Sequence, residues 1–342
     1  MSDSDTNSAG MPRIAVDAMG GDYAPQEIVK GAVEGSRLHG VKVLLVGDPS
    51  EVEVELKKVD REGAWLEVVP SQGWVVEGEH PVLALRRMPK ASVAVATAWV
   101  KTGQADAMVT MGSTGAAMAS AKLGLGMMEG VDRPCLGGPF LGLAPHTAIL
   151  DLGSNIDCRP HQLLSFAIMG CVFARKFFGI ESPRVGLLSV GSEEGKGNRQ
   201  VREAYELFKR SEIRFVGNVE GTDLLTDRAH VVVCDGFVGN ILLKFAEALG
   251  DGISAHLNEK LQGKLAPSDI AELKEGVWEL TNRSRRLSGP LFGVKGNVIV
   301  GHGSSRSGEV AGAVGMAKMC VEMDLANSME AELAALKAKV AG

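Results

Sequence analysis

The sequence predicts an α/β protein with a doubly wound, mostly parallel sheet. Short apolar runs alternate with segments of helical period along most of the chain, which is the order expected of βαβ units. Five of these runs end in a polar turn containing glycine, and each turn opens a helical segment. Two amphipathic helices in succession then interrupt the alternation, so we expect a helical hairpin inserted into the α/β order.

The first half of the chain begins with a βαβ unit. Ile14–Val16 is the first strand and ends in the turn Asp17–Asp22, and Pro25 marks the first turn of a helix to about Leu38. Val41–Val46 supplies the next strand. The remaining elements predicted here are a helix over Ser50–Val59, a strand over Leu66–Val69, a helix over Ser92–Thr102 and a strand over Ala107–Thr110.

The second half repeats this pattern around one long apolar helix. Pro160 begins that helix, and its run Leu163–Ala174 carries no charge, which is typical of a core helix or of a subunit interface. The predicted strands are Ile149–Leu150, Val185–Val190, Ile213–Val216, Val231–Cys234 and Val298–Val300.

The helical hairpin is predicted from about Ile241 to Leu280, because apolar residues recur every three to four positions on both sides of Pro267. We therefore expect a disordered tail over residues 1–12 and a single α/β catalytic domain over 13–326, with the hairpin inserted at about 241–285. A helical tail over 327–342, rich in Ala, Glu, Leu and Lys, completes this interpretation.

Composition excludes several classes of protein. A net charge of −6 and an aromatic content of 5% argue against a nucleic-acid partner, which needs a basic face or stacking platforms. The five cysteines are scattered, so neither a disulfide framework nor a metal site is predicted. No apolar run has transmembrane length and the first twelve residues do not resemble a signal peptide, so we expect a cytoplasmic protein.

The glycine turns supply the candidate site, because in a parallel sheet they share one edge, where helix N-termini bind anions. Lys196 offers a point charge between two glycines, and His302 also lies between glycines. Each residue alone has an ordinary structural role in a turn or helix cap. The turn residues that could bind a ligand or take part in chemistry are Lys196, Thr114, Ser304, Ser305, His302, Asp235 and Asn240.

From the residues alone, the chain is expected to bind an anionic small ligand. A serine hydrolase is disfavoured because the chain has no Gly-x-Ser-x-Gly elbow. Six motifs, which occur in order between Arg13 and Met319, add a resemblance to the bacterial phosphate acyltransferases. They are Asp17–Asp22, Asp151–Asn155, Glu193–Asn198, Gly217–Gly221, Asp235–Asn240 and His302–Ser305.

The resemblance implies transfer of a long acyl group from an acyl-carrier-protein thioester to inorganic phosphate, giving acyl phosphate for phospholipid synthesis. It implies no cofactor and a fold similar to the isocitrate and isopropylmalate dehydrogenases. Lys196 would carry phosphate or oxyanion charge, Asn198, Asn240 and the loop Ser113–Gly115 would be donors, and His302 would carry a proton. With these roles, the candidate catalytic residues are Lys196, Asn240 and His302, and the candidate binding residues are Asp17, Gly112, Ser113, Thr114, Gly115, Asn198, Asp235, Lys244, Ser304 and Ser305. The family usually has Asn where this chain has Ser113.

Three other interpretations stay open: a phosphotransacylase that uses acyl-coenzyme A, an NAD(P)-dependent decarboxylating dehydrogenase on the same fold, and a non-catalytic anion-binding module. The dehydrogenase needs clustered aspartates for a divalent metal, and no compact Asp-x-x-x-Asp set follows a strand here.

The resemblance also implies a homodimer whose helical hairpins lie near the subunit interface, with tips that touch the membrane surface. The tip offers little apolar area, so the peripheral membrane contact is expected to be weak. The carrier protein is acidic, so it needs a local basic cluster on a chain that is itself acidic. The two candidate clusters are Arg86, Arg87 and Lys90, and, slightly favoured for its place beside the hairpin, Arg283, Arg285 and Arg286.

Overall fold

The computed structural model describes residues 10–341, with side chains described up to residue 335. Most of the tail predicted for residues 1–12 therefore lies outside the described residues. The chain forms two compact units: the first contains the described residues of Met1–Pro134 and Leu287–Gly342, and the second is Cys135–Arg286. The single catalytic domain expected over 13–326 stays a prediction, and the sequence gives no sign of this division.

The first unit contains six strands in the order β3-β2-β1-β4-β11-β10. Five of them are parallel, with Ile14 of β1 beside Val43 on one side and Ala107 on the other, and β10 runs antiparallel to β11. The strands are β1 (Arg13–Asp17), β2 (Lys42–Gly47), β3 (Trp65–Pro70), β4 (Ala107–Thr110), β10 (Gly289–Phe292) and β11 (Asn297–Val300).

Seven α-helices lie within the described part of the first unit, and of these α1 and α11 pack against each other most closely. A Cβ on Gly31 of α1 would lie 2.6 Å from Cβ of Val310, and one on Gly35 would lie 2.9 Å from Cβ of Val314, so glycine permits this approach. Six of the helices are α1 (Gln26–His39), α2 (Pro49–Leu56), α3 (Pro81–Arg87), α4 (Ser92–Lys101), α5 (Thr114–Gly124) and α11 (Ser307–Glu322). The seventh, α12 (Leu325–Ala341), follows where the sequence predicts a helical tail.

The second unit contains five strands in the order β5-β6-β9-β7-β8. β5 runs antiparallel to β6, and the other pairs are parallel. The strands are β5 (Cys135–Pro139), β6 (Ala148–Leu150), β7 (Arg184–Leu188), β8 (Arg214–Val219) and β9 (Val231–Val233). A short 3-10 helix spans Gly221–Leu225, and α7 spans Arg199–Arg210.

The long apolar helix predicted from Pro160 is α6 (Pro160–Phe178), and it belongs to the core of the second unit. Most residues of its uncharged run are buried. A Cβ on Gly170 would lie 2.5 Å from Cγ1 of Val231, so this helix packs directly on β9. Of the two environments that the sequence allows for this helix, the structure therefore places most of the run in a core.

The predicted hairpin consists of α8 (Gly236–Leu261) and α9 (Pro267–Thr281), followed by α10 (Arg283–Leu287). The expected start at Ile241 is wrong by five residues, because Asp235 caps the helix and its Oδ1 accepts a 2.9 Å hydrogen bond from the amide of Val238. One face of α8 stays exposed and apolar, and it carries Phe237, Ile241, Phe245, Leu249 and Ile253. Within residues 10–341, no helix is both long and apolar enough to cross a membrane.

Candidate functional site

The five predicted strand-loop-helix units are present, and each loop follows the carboxyl end of its strand. The loops after β1, β4 and β11 belong to the first unit, and those after β7 and β9 belong to the second. Because these strands are parallel within each unit, their loops gather at one edge of that unit's sheet. The candidate residues therefore form two sets, which are described separately.

In the first unit, Asp17 and Thr110 hold the candidate loops. Thr110 Oγ1 donates a 2.7 Å hydrogen bond to Oδ2 of Asp17 and accepts one of 3.0 Å from the amide of Gly112. A Cβ on Gly20 would lie 2.6 Å from the same Asp17 oxygen and 2.9 Å from the Gly112 nitrogen, so this contact requires glycine. The loops after β1 and β4 are thus fixed to each other.

The loop after β11 joins the same arrangement through backbone hydrogen bonds. The amide of Gly301 donates to the carbonyl of Thr110 at 3.0 Å, and the amide of Asp22 donates to the carbonyl of Gly303 at 2.8 Å. His302 lies between these two contacts and is partly exposed. Three helix-opening loops are therefore held together, and backbone amides of that kind are suited to binding anions.

The carboxylate of Asp17 forms hydrogen bonds with groups of its own chain. Asp17 is only 2% exposed, and its carboxyl oxygens accept hydrogen bonds from the Thr110 hydroxyl and from the backbone amide of Met19. Burial raises the pKa of this carboxyl, and the hydrogen bonds that it accepts oppose the rise. That Asp17 contacts a ligand stays a prediction, while its contacts here order the Gly112 loop.

The serines of the first unit differ in what they contact. Ser113 caps α5, with its Oγ accepting a 3.1 Å hydrogen bond from the amide of Ala116. Thr114 and Gly115 follow in the first turn and are partly exposed. Ser304 is exposed, whereas Ser305 is buried and its Oγ has no hydrogen-bond partner within the described part of the chain. Among the candidate serines, Ser305 is the one with a buried hydroxyl that has no partner within the described residues.

In the second unit, Asp151 organises a loop that the candidate set omits, although the sequence places Asp-Leu-Gly-Ser-Asn directly after a strand. Its Oδ1 accepts hydrogen bonds from the amides of Gly153 and Ser154 and the hydroxyl of Ser154, at 2.6–2.9 Å. Its Oδ2 accepts a 2.6 Å hydrogen bond from the side-chain nitrogen Nδ2 of Asn155. Burial raises the pKa of Asp151, and these donors oppose the rise.

The loop of Asp151 supports the beginning of α8. The amide of Gly236 donates to the carbonyl of Asn155 at 2.7 Å, and a Cβ on Gly239 would overlap the carbonyl of Asp151. A Cβ on Gly153 would lie 3.3 Å from Cβ of Asn240, so the Asn240 side chain lies against this loop. The structure thus brings Asp235 and Asn240, both predicted, together with the Asp151 loop.

Lys196 lies in the loop after β7 and is exposed. Its amide donates to the carbonyl of Glu193 at 3.0 Å, and its aliphatic stem covers Gly191, where a Cβ would lie 2.9 Å from Cγ of the lysine. Asn198 caps α7, because its Oδ1 accepts a 2.9 Å hydrogen bond from the amide of Val201. The cap uses the side-chain oxygen of Asn198, so the predicted donor role belongs to its side-chain nitrogen, Nδ2.

The loops of the second unit are linked, and Lys244 lies outside their contacts. Gln200 in the first turn of α7 donates a 2.7 Å hydrogen bond to the carbonyl of Cys158, which follows the Asp151 loop. Lys244 is exposed on α8, one turn beyond Asn240. Within the described residues, no group of three or more His, Cys, Asp or Glu side chains is placed to hold a metal ion.

Comparison with known proteins agrees with this architecture. A family model described as "Fatty acid synthesis protein" matches residues 12–328. A protein from Synechocystis named phosphate acyltransferase is 44% identical over 317 residues, covering 91% of each chain. One of the same name from Pelotomaculum thermopropionicum is 41% identical over 338 residues, covering 96% of this chain and 97% of its own.

Solved structures show the same fold at low identity. A phosphotransacetylase from Streptococcus pyogenes superposes with a TM-score of 0.61 at 17% identity, covering 94% of this chain and all of its own. A 4-hydroxythreonine-4-phosphate dehydrogenase from Klebsiella pneumoniae superposes with a TM-score of 0.52 at 14% identity, covering 91% and 98%. These two matches bear on the fold alone, which agrees with the predicted similarity to dehydrogenases of this class.

Proposed function

The chain belongs to the family described as fatty acid synthesis protein, whose relatives quoted above are named phosphate acyltransferase, and from this premise we propose that it transfers an acyl group from a thioester to inorganic phosphate. The acyl group is long, the donor is an acyl-carrier-protein thioester, and the acyl phosphate formed feeds phospholipid synthesis. The proposal is supported chiefly by the 44% identity, over 317 residues, between this chain and a relative named phosphate acyltransferase.

The reaction makes modest demands on side-chain chemistry. A phosphate oxygen attacks the thioester carbonyl carbon, the carbon–oxygen bond forms, and the carbon–sulfur bond breaks as the thiolate leaves. A thiol has a pKa of about 8.5 in water, so its thiolate departs with little help from a general acid. The protein must hold an anion in position and stabilise the oxyanion of the tetrahedral intermediate.

The second unit offers a charge and donors for these tasks. Lys196 is proposed to stabilise the negative charge of the phosphate or of the oxyanion through its exposed ammonium group. Asn240 is proposed as a hydrogen-bond donor, supported by its contact with the loop that Asp151 orders. Asn198, Asp235 and Lys244 are proposed to bind substrate around them, with the capping contacts of Asn198 and Asp235 shaping the two loops.

The first unit offers amides, hydroxyls and an imidazole. The loop Gly112–Gly115 is proposed to bind phosphate through its backbone and hydroxyl groups, with Asp17 holding that loop. Ser304 and Ser305 are proposed to donate to the same class of ligand, and the unpartnered Oγ of Ser305 supports its part. His302 is proposed to carry a proton.

The test is a direct assay for the product. Purified protein is mixed with phosphate and a long-chain acyl-carrier-protein thioester, and acyl phosphate is trapped with hydroxylamine. We expect trapped product that depends on phosphate, and a parallel assay with acyl-coenzyme A decides between the two thioester donors. Folded protein that yields no acyl phosphate from either donor, beside an active control enzyme, would overturn the proposal.

The assembly proposed for the enzyme is a cytoplasmic homodimer with weak peripheral membrane contact. The exposed apolar face of α8 supports the dimer, because an apolar stripe of this length is normally covered. At the tip between α8 and α9, Leu265 is 42% exposed beside the exposed Lys260 and Lys264, a combination suited to weak attachment to anionic lipid. An acyl phosphate has an apolar tail, so release near a membrane suits its chemistry.

A further inference from the structure

A mixed apolar and basic surface lies on the first unit, between β3 and α4. It consists of Trp74, Val76, Leu83, Arg86 and Lys90, here called the Trp74–Lys90 surface. The three apolar members are 46%, 52% and 61% exposed, respectively. Exposed tryptophan beside exposed aliphatic side chains is uncommon on a surface that only meets water and is common in binding patches.

The fold presents these side chains through ordered local structure. The amide of Gln72 donates to the carbonyl of Lys90 at 2.8 Å, and the amide of Ser92 donates to the carbonyl of Gly73 at 3.1 Å, so the segment folds back on itself. Val75, between Trp74 and Val76, is 9% exposed, so the middle of this stretch is buried against the unit. The exposed residues on either side are therefore held outward.

Helix α3 likewise has one buried side and one exposed side. Its Ala84 and Leu85 are buried, whereas Leu83 and Arg86, three residues apart, are both exposed. Residues three apart are neighbours on a helix surface, so an aliphatic and a cationic side chain stand side by side.

The charges of this surface are available to a partner. Arg87 is committed to Glu79, with Nη2 at 2.8 and 2.9 Å from the two carboxylate oxygens. No described side chain forms an ion pair with Arg86 or Lys90, and both residues are exposed. The neighbouring Glu77 is also exposed, so the attraction to an anion is local to the two cations.

The alternative basic cluster is engaged with its own unit. Arg283 donates a 3.2 Å hydrogen bond to the carbonyl of Pro145, and burial lowers the pKa of its guanidinium. Arg286 forms an ion pair with Glu279. Cations that already have protein partners offer less to an acidic molecule, so the preference given to this cluster by the sequence alone is reversed here.

The Trp74–Lys90 surface adjoins the candidate phosphate loop of its own unit. A Cβ on Gly115 would lie 2.9 Å from Cγ of Pro81, the first residue of α3, so this helix packs against the loop that opens α5. A macromolecule bound on α3 is therefore close to the loop that contains Gly115, which suits the delivery of an acyl group on a tether.

We propose that the Trp74–Lys90 surface docks the acidic carrier protein that delivers the acyl thioester. This proposal rests on the proposed function and adds where the donor protein binds. Arg86 and Lys90 attract acidic side chains of the carrier, and Trp74 with Leu83 forms the apolar contact that is desolvated on binding.

The experiment compares two donors in a set of variants. One donor is the acyl-carrier-protein thioester, and the other is the same acyl group on pantetheine, which lacks the protein. The docking variants are Arg86→Gln with Lys90→Gln, and Trp74→Ala alone. The matched control is Lys57→Gln with Lys101→Gln, which removes two charges from exposed lysines elsewhere on the first unit.

We expect kcat/KM for the carrier donor to fall about tenfold in each docking variant, through a higher KM, with a shallower dependence on salt in the double variant. The pantetheine donor should be turned over as by the parent, and the control variant should match the parent with both donors. An unchanged KM for the carrier donor overturns the docking proposal, and so does an equal loss with both donors.

The design also separates the two proposals. If the parent protein forms acyl phosphate from the pantetheine donor and the docking variants use the carrier donor as well as the parent does, the docking surface is rejected and the proposed reaction is retained. A parent protein that is inert with both donors rejects the reaction and the surface together. A parent protein that uses the pantetheine donor but not the carrier thioester rejects the carrier as donor, and with it the surface.

Discussion

The hydroxyl of Thr110 lies 2.7 Å from Oδ2 of Asp17, across 93 positions of sequence, and joins the ends of β1 and β4. Oγ1 of Thr110 also accepts a hydrogen bond from the amide of Gly112 at 3.0 Å. One threonine thus satisfies a buried carboxylate and fixes the first turn of the candidate phosphate loop. Asp17 and Thr110 are both almost completely buried, so the hydrogen bond between them is shielded from water.

Replacing Thr110 should test that arrangement. Thr110→Val removes the donor to Asp17 and the acceptor for Gly112, so the free energy of unfolding should fall by about 1–3 kcal/mol. Thr110→Ser keeps the hydroxyl and should lie much closer to the parent. Urea unfolding measures both, and equal stability of the valine and serine variants would contradict the structural role.

Lys196 is predicted to act in catalysis without supporting the fold. Its ammonium group is exposed, so Lys196→Met should leave thermal unfolding unchanged while kcat for acyl phosphate formation falls by about 10²–10³-fold. Lys176→Met, which removes an exposed lysine from the end of α6, is the control and should retain activity. Near-parental turnover by the Lys196 variant would remove this residue from the mechanism.

Asp151 should make stability depend on pH. Burial raises the pKa of its carboxyl, so between the ordinary value of about 3.9 and the higher folded-state value the folded protein holds more protons than the unfolded chain. This carboxyl therefore makes the folded state less stable as the pH rises through that window.

Asp151→Asn removes the titration, so the melting temperature of the variant relative to the parent should increase with pH across the window and then level off. The comparison uses Asp157→Asn, an exposed aspartate of the same loop, whose difference from the parent should change much less. A difference for Asp151→Asn that is constant from pH 4 to pH 8 would show that the buried carboxyl does not titrate as argued.

The apolar face of α8 predicts the state of association. Phe245 is 64% exposed on this face, and a dimer that covers the face would bury it. Phe245→Glu should therefore give a monomer in sedimentation velocity at micromolar concentration. Leu225→Glu alters a residue that is 55% exposed on the 3-10 helix, and it should leave the dimer intact. A parent protein that is monomeric at that concentration would disprove the dimer.

The hairpin tip predicts weak binding to anionic vesicles. Leu261→Glu with Leu265→Glu adds two negative charges beside Lys260 and Lys264, so co-sedimentation with anionic vesicles should be lost while activity in solution persists. Leu207→Glu with Leu225→Glu adds the same charge to exposed leucines elsewhere in the second unit and should still bind. Binding by the tip variant equal to that of its control would place the contact elsewhere.

The sequence predicted most of the regular elements, because β-strand and helix periods are local properties of the chain. The strands at Ile14–Val16 and Val41–Val46 and the helix from Pro160 lie within about two residues of the observed elements. It missed β5 and β10, which carry glycine and proline in short stretches and run antiparallel to their neighbours. Their partners are the next strands along the chain, but stretches this short and this rich in glycine and proline carry neither the apolar alternation nor the β-branched residues that indicate a strand.

The candidate site followed the same division between local and distant information. By itself, the sequence determined the glycine loops at the strand ends and residues such as Lys196 and Asn240, because the order of strand, turn and helix fixes which loops follow carboxyl ends. Only the tertiary structure decided that Asp17 and Asp151 give their carboxylates to their own chain, and that Arg286 is paired with Glu279. The physical reason is that burial and hydrogen-bond partners come from residues far along the chain, and their approach is set by packing rather than by sequence spacing.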